Sequence, residues 1–192
     1  MRSTTRLQES RTRRSRSICS LALNLLMDRW ASRVIAFLYR ITSHRDTAAD
    51  LAQETFVKLY QARNRYRASG NFSTYLFAIA ANLARNNHRW QARHPTISLD
   101  RSPANNSRSA VELVDPHADP RESAQKSEQM NAVAAAFQAL PSDLREARSL
   151  FIDQDMSYAE IAAIAGCSPK AVETRIYRAR QILKELLKDS SY

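Results

Sequence analysis

Five side chains near the end of the chain have the types and spacing to read a DNA groove. At about 100° per helical residue, Lys170, Thr174, Tyr177, Arg178 and Gln181 share one face. Val172, Ile176, Ala179, Leu183 and Leu186 share the opposite, apolar face. Arginine can pair with both acceptors of guanine, glutamine with adenine, and threonine can meet the thymine methyl. Lysine supplies a cation for phosphate. The plainer alternative for such a face is solvation.

A second group lies in the middle of the chain. Residues 71–90 read NFSTYLFAIAANLARNNHRW and contain no acid. On a helix starting at Phe72, an apolar stripe collects Phe72, Leu76, Ile79, Leu83 and Trp90, and a neighbouring stripe collects Asn82, Arg85, Asn86 and Arg89. The acid-free stretch runs from Thr55 to Leu99. It carries Lys58, Arg63, Arg65, Arg67, Arg85, Arg89 and Arg93, interleaved with Phe56, Tyr60, Tyr66, Phe72, Tyr75, Phe77 and Trp90. Cations with aromatic rings are the chemistry of a single-stranded nucleic-acid surface. Spacing assigns Phe56 and Phe72 to the core, and the connector RNRYRASGN leaves Tyr66 exposed. Just upstream, Asp46, Asp50 and Glu54 recur every four residues and form an acidic ridge. Such a ridge repels DNA. It is either a solvated face or a docking site for a basic protein, and periodicity does not decide between them.

Elements must hold these groups in place. Around the first group, Ser157 and Glu160 match a capping box. Ile161, Ile164 and Ala165 follow on a short helix, and Gly166 suits the left-handed residue that ends it. Ser168 can cap the next helix and Pro169 fits its first position. Helix, glycine turn, helix is a helix-turn-helix. Along the whole chain, residues 26–93 and 129–188 are helical in pattern, while 94–128 hold Pro95, Pro103, Pro116 and Pro120 with no sustained periodicity. The expected fold is all-α: two small helical domains joined by a flexible linker over 94–128. Residues 1–25 form a basic tail expected to be disordered, and their Arg/Ser/Thr-rich start also fits a transit peptide or an over-extended start codon.

Bulk composition narrows the function. The chain has 192 residues, a net charge of +10 and only two glycines, which favours helices over tight hairpins. Half of that charge sits in the tail, with six arginines against Glu9, so the remainder is still basic and suited to a polyanion. Cys19 and Cys167 share no pairing motif, and the four histidines form no ligand spacing with them. No metal site, cofactor or disulfide is expected, and a reducing compartment fits. Residues 11–26 mimic a signal peptide, but the apolar part is short and MDRWASR follows without a small-residue cleavage site. No run is long and apolar enough to insert in a membrane. No nucleophile–base set or glycine-rich phosphate loop is present, so an enzyme is not expected.

These motifs, in this order, resemble the RNA polymerase sigma factors of the sigma-70 family, specifically the small extracytoplasmic-function (ECF) subfamily. DLAQETFVKLY (50–60) is similar to the helix that binds core polymerase, YRASGNFSTYLFAIAANLARNNHR (66–89) to the segment that melts and reads the minus-ten element, and LPSDLREARSLFIDQDMSYAEIAAIAGCSPKAVETRIYRAR (140–180) to the domain that reads the minus-thirty-five element. The resemblance makes 26–93 sigma region 2 and 129–188 sigma region 4. It implies that Asp50, Gln53 and Glu54 dock on the beta-prime clamp helices, with the beta flap as a further core contact. It implies that Tyr66, Asn82, Arg85, Asn86 and Arg89 meet the minus-ten element, and that residues 64–71 cradle a flipped base. Lys170, Thr174, Tyr177, Arg178 and Gln181 then meet the minus-thirty-five element. Tyr75 stands where the family has tryptophan, Ala68 where glycine is common, and Glu173 where many members are basic.

The expected function is promoter recognition and strand opening on behalf of core RNA polymerase. Promoter DNA and an anti-sigma factor are the further partners, and the expected location is the bacterial cytoplasm at the nucleoid. A stand-alone helix-turn-helix regulator is the alternative. It would leave the aromatic block and the acidic ridge without a use.

Overall fold

In a computed structural model, residues 3–66, 71–94 and 120–188 are described, with side chains from residue 23 in the first stretch and 128 in the third. Among the described residues the chain forms seven α-helices and no strand. They are α1 (Ser3–Thr42), α2 (Arg45–Ala62), α3 (Phe72–Arg93), α4 (Pro120–Gln138), α5 (Ser142–Asp153), α6 (Tyr158–Ala165) and α7 (Pro169–Lys188). The chain divides into two compact units, Met1–Leu83 and Ala84–Tyr192.

The first unit packs apolar stripes against one another. Val34, Phe37 and Leu38 of α1, Leu51, Ala52, Phe56 and Leu59 of α2, and Leu76, Phe77, Ala80, Ala81 and Leu83 of α3 are buried. Each set recurs at three- and four-residue steps, which brings successive side chains onto one side of its helix. Thr55 is buried among them, and its hydroxyl donates to the Leu51 carbonyl at 2.7 Å. That bond satisfies a group that would otherwise be costly inside. Between α1 and α2 the chain turns at Ser43, whose φ of 63° is left-handed, and its N–H donates to the Tyr39 carbonyl.

Aromatic rings tie α1 to α3. Phe77 meets Phe37 edge-on at 5.2 Å and Trp30 at 6.3 Å, and Trp30 also touches Phe72 at 5.9 Å. Phe56, assigned to the core from its spacing, is buried; Phe72 is half-buried.

In the second unit, Ala136, Leu140, Leu144, Ala179 and Leu183 form one cluster, with Phe137, Ile182 and Leu187 against it. Leu150, Met156, Ile161, Ile164, Val172 and Ile176 are buried as well. The turn after α4 is held by Arg145, whose guanidinium donates to the Gln138 side chain at 2.8 Å and to the Leu140 carbonyl at 2.8 Å. Burial pulls the Arg145 pKa below its ordinary value.

Two boundaries differ from the sequence reading. The tail expected over 1–25 is helical from Ser3, continuous with α1. No proline or glycine interrupts residues 3–42, so nothing in the chain ends that helix early. The linker expected over 94–128 yields its last residues to α4, which starts at Pro120. A proline is tolerated there because the first helical N–H has no partner within the helix; residues 95–119 lie outside the described residues.

Candidate nucleic-acid interface

The helix-turn-helix is built as its local sequence requires. Ser157 accepts from the Glu160 N–H at 3.3 Å, and the Glu160 carboxylate accepts from the Ser157 N–H at 2.9 Å, closing the capping box. Gly166 ends α6 at φ 65°. No atom crowds the place of its missing Cβ, so glycine is favoured there by conformation and not by space. Ser168 accepts from the Ala171 N–H at 3.2 Å and starts α7. Val172, Ile176, Ala179 and Leu183 are then buried. Leu186, assigned to the same stripe, is 39% exposed.

Lys170, Thr174, Tyr177, Arg178 and Gln181 are all exposed on the other side of α7. Tyr177 is 60% exposed, too open for a core residue. The bonds on this face are short-range: Lys170 meets Glu173 at 2.7 Å, and Thr174 donates to the Lys170 carbonyl at 3.0 Å. The hydrogen bond to Glu173 holds the Lys170 ammonium above its ordinary pKa. Glu173 therefore sits beside a cation on its own helix, which offsets its repulsion of phosphate.

The α3 face is arranged differently. Asn82, Asn86 and Arg89 are exposed. Arg85 is partly buried: one terminal nitrogen donates to the Glu146 carboxylate at 3.0 Å, the other to the Ile164 carbonyl at 3.0 Å. Ile164 belongs to the last turn of α6, where carbonyls lack helical partners, so Arg85 caps that helix. Glu146 is buried, and burial raises its pKa against the lowering pull of Arg85 and Arg175. This arrangement was missed in the sequence, because the two partners lie 61 and 79 positions further along the chain.

Two aromatics also differ from their expected surroundings. Tyr66 is half-buried, with its ring 6.1 Å from Phe72 and 5.0 Å from Tyr75. Tyr66 and Tyr75 thus form one ring cluster at the start of α3. Arg67, Ala68, Ser69 and Gly70 of the connector lie outside the described residues. Trp90, placed on the apolar stripe by the helical period, is 54% exposed and stacks on His94 instead, at 5.0 Å and 22°. Periodicity says which side a residue faces; it does not say whether anything packs there.

On α2, Asp46, Asp50, Gln53 and Glu54 are exposed along one side while Leu51, Ala52, Thr55 and Phe56 are buried on the other. Glu54 pairs with Lys58 at 3.3 Å, and Val57, 52% exposed, adds an apolar spot beside the ridge. No group of three or more His, Cys, Asp or Glu suited to a metal ion occurs among the described residues. No helix among them is long and apolar enough to cross a membrane.

Comparison with known proteins gives a consistent result. A family model described as Sigma-70 region 2 matches residues 26–94, and one described as Sigma-70, region 4 matches residues 130–183. The ECF RNA polymerase sigma-E factor of Salmonella typhimurium is 35% identical over 163 residues, covering 84% of each chain, and that of Escherichia coli (strain K12) matches to the same extent. Among solved structures, the sigma factor RpoE of Bartonella quintana, in complex with the anti-sigma factor NepR, has a TM-score of 0.63 at 26% identity, covering 86% of this chain and 96% of that one. CnrH in complex with the cytosolic domain of CnrY has a TM-score of 0.62 at 25% identity, covering 90% and 91%.

Proposed function

The chain belongs to the ECF sigma factors of the sigma-70 family, and from that premise we propose that three exposed helix faces divide its work on core RNA polymerase and promoter DNA. As a sigma factor it binds core polymerase and directs transcription initiation. The α7 face, with Lys170, Thr174, Tyr177, Arg178 and Gln181, reads the minus-thirty-five element in the major groove. The α3 face, with Asn82, Asn86 and Arg89, and with Tyr66 at its start, meets the minus-ten element, and Arg85 joins it once released from Glu146. The α2 ridge of Asp50, Gln53 and Glu54 docks on the polymerase clamp. Strand opening uses capture of unpaired bases, which offsets an unstacking cost of a few kcal/mol. Bond chemistry stays with the polymerase, and the protein acts where the polymerase is, in the cytoplasm.

One observation carries this reading most directly. On α7 every assigned reading residue is exposed while Val172, Ile176, Ala179 and Leu183 opposite are buried, within a helix-turn-helix whose turn is capped on both sides. An anti-sigma factor is a further proposed partner, since two structurally similar sigma factors are held in such complexes.

The test is reconstitution. Core polymerase, the chain and a cognate promoter are expected to give specific initiation that core alone does not. Specific promoter binding by the chain alone, with no gain from core, returns it to a stand-alone regulator. Glu54→Lys is expected to weaken core binding about tenfold while leaving the fold intact, because Glu54 is exposed and charge complementarity at a close contact is worth on the order of 1–2 kcal/mol. Affinity equal to wild type by fluorescence anisotropy makes the ridge a solvated face.

A further inference from the structure

Trp90 has no structural task that explains it. The other tryptophan, Trp30, is half-buried between Phe72 and Phe77, with the Arg29 and Arg33 guanidinium groups near its ring. Trp90 has no such setting. It is 54% exposed in the last turns of α3, and what singles it out is the company it keeps there.

Its position is specific. Asn82, Asn86 and Trp90 follow at four-residue steps and form one ridge, all three exposed. Arg89 precedes Trp90 and Arg93 follows one turn later, both exposed, inside the acid-free stretch from Thr55 to Leu99. The ring is also held in place. His94 stacks on it at 5.0 Å and 22°, and the His94 ring is itself tethered by Nδ1, 3.1 Å from the Trp90 carbonyl. A ring already ordered loses less entropy when a partner settles on it. A flat aromatic face flanked by cations, with amides one turn away, matches an unpaired base on its sugar–phosphate strand.

We propose that Trp90 is a further DNA contact of this sigma factor: its indole stacks on an unpaired base of the opened promoter, next beyond the bases that Asn82 and Asn86 meet. The proposal rests on the assignment of α3 to the minus-ten element. The step from Asn86 to Trp90 is about 6 Å along the helix, so the stacked base lies one or two nucleotides further along.

The test uses holoenzyme on a promoter with a mismatched, permanently open segment, with 2-aminopurine placed at successive non-template positions. Stacking quenches that base. Wild type is expected to quench one or two adjacent positions that Trp90→Ala leaves bright, while Trp90→Phe retains the quenching. Affinity for the open promoter is expected to fall about tenfold in Trp90→Ala, the lower part of the range for one stacked base. If Trp90→Ala lowers affinity but every position stays quenched, the contact is with the backbone and the stacking proposal is wrong. If Trp90→Ala changes neither while Asn86→Ala weakens binding, Trp90 is no contact and the assignment of α3 stands. If neither variant has an effect, the assignment of α3 fails along with it.

Discussion

Helices α3 and α7 are similar in kind and different in circumstance. They have 22 and 20 residues, and each sets polar groups opposite an apolar stripe. On α7 the polar groups bond to neighbours within a turn, Lys170 to Glu173 and Thr174 to the Lys170 carbonyl. On α3, Arg85 bonds to a carboxylate and a carbonyl 61 and 79 positions away. A face clear of its own stripe is therefore open only if no distant group claims it. The α7 face meets that condition in this conformation, whereas the α3 face meets it only in part. DNA that engages Arg85 has to compete with Glu146 and with an uncapped α6 carbonyl.

The harshest test of the contrast removes the support of the α7 face. Ile176 is 4% exposed, so Ile176→Ala is expected to cost the second unit about 2–5 kcal/mol and to abolish minus-thirty-five binding through unfolding. Thermal melting followed by circular dichroism checks it; a melting curve equal to wild type would mean the stripe does not carry α7.

A smaller effect separates support from reading. Arg178→Ala is expected to reduce promoter discrimination by about 1–3 kcal/mol without a change in melting temperature. Footprinting on promoters altered in one element at a time should place the loss at the minus-thirty-five element. A loss spread over both elements would undo the division between the helices.

The smallest effect probes the tie on α3. Burial raises the Glu146 pKa above its ordinary 4.5 despite Arg85 and Arg175. Between the unfolded and the higher folded value the native state binds more protons. This group's contribution to stability is thus highest below the window and falls as pH rises through it. Glu146→Gln is expected to remove that fall, and Arg85→Ala to deepen it by leaving the carboxylate buried without that guanidinium. Melting temperatures recorded from pH about 4 to 7 decide it. Parallel curves for all three proteins would show that the pair has no energetic weight.

What could be read from the chain follows from the range of each interaction. The capping box at Ser157 and Glu160, the glycine stop at Gly166 and the Ser168–Pro169 start depend on bonds within four residues, and all were legible. Two α7 outcomes were mixed: Val172 to Leu183 are buried as the period predicts, but Leu186 is not. Helices α1 and α4 begin earlier, at Ser3 and Pro120, than composition suggests, because basic or proline-bearing stretches look like tails and linkers.

By itself, then, the sequence determined the all-α class, the helix-turn-helix with its caps, and which side chains share a face, since backbone period and local bonds settle these. Only the tertiary structure decided which faces stay open. Arg85 is tied because a buried carboxylate and an uncapped carbonyl come within 3.0 Å of it. Tyr66 is drawn into a ring cluster by Phe72 and Tyr75, and Trp90 stays exposed, stacked on His94. Contacts between residues far apart in the chain depend on where the helices come together, and no local pattern carries that information.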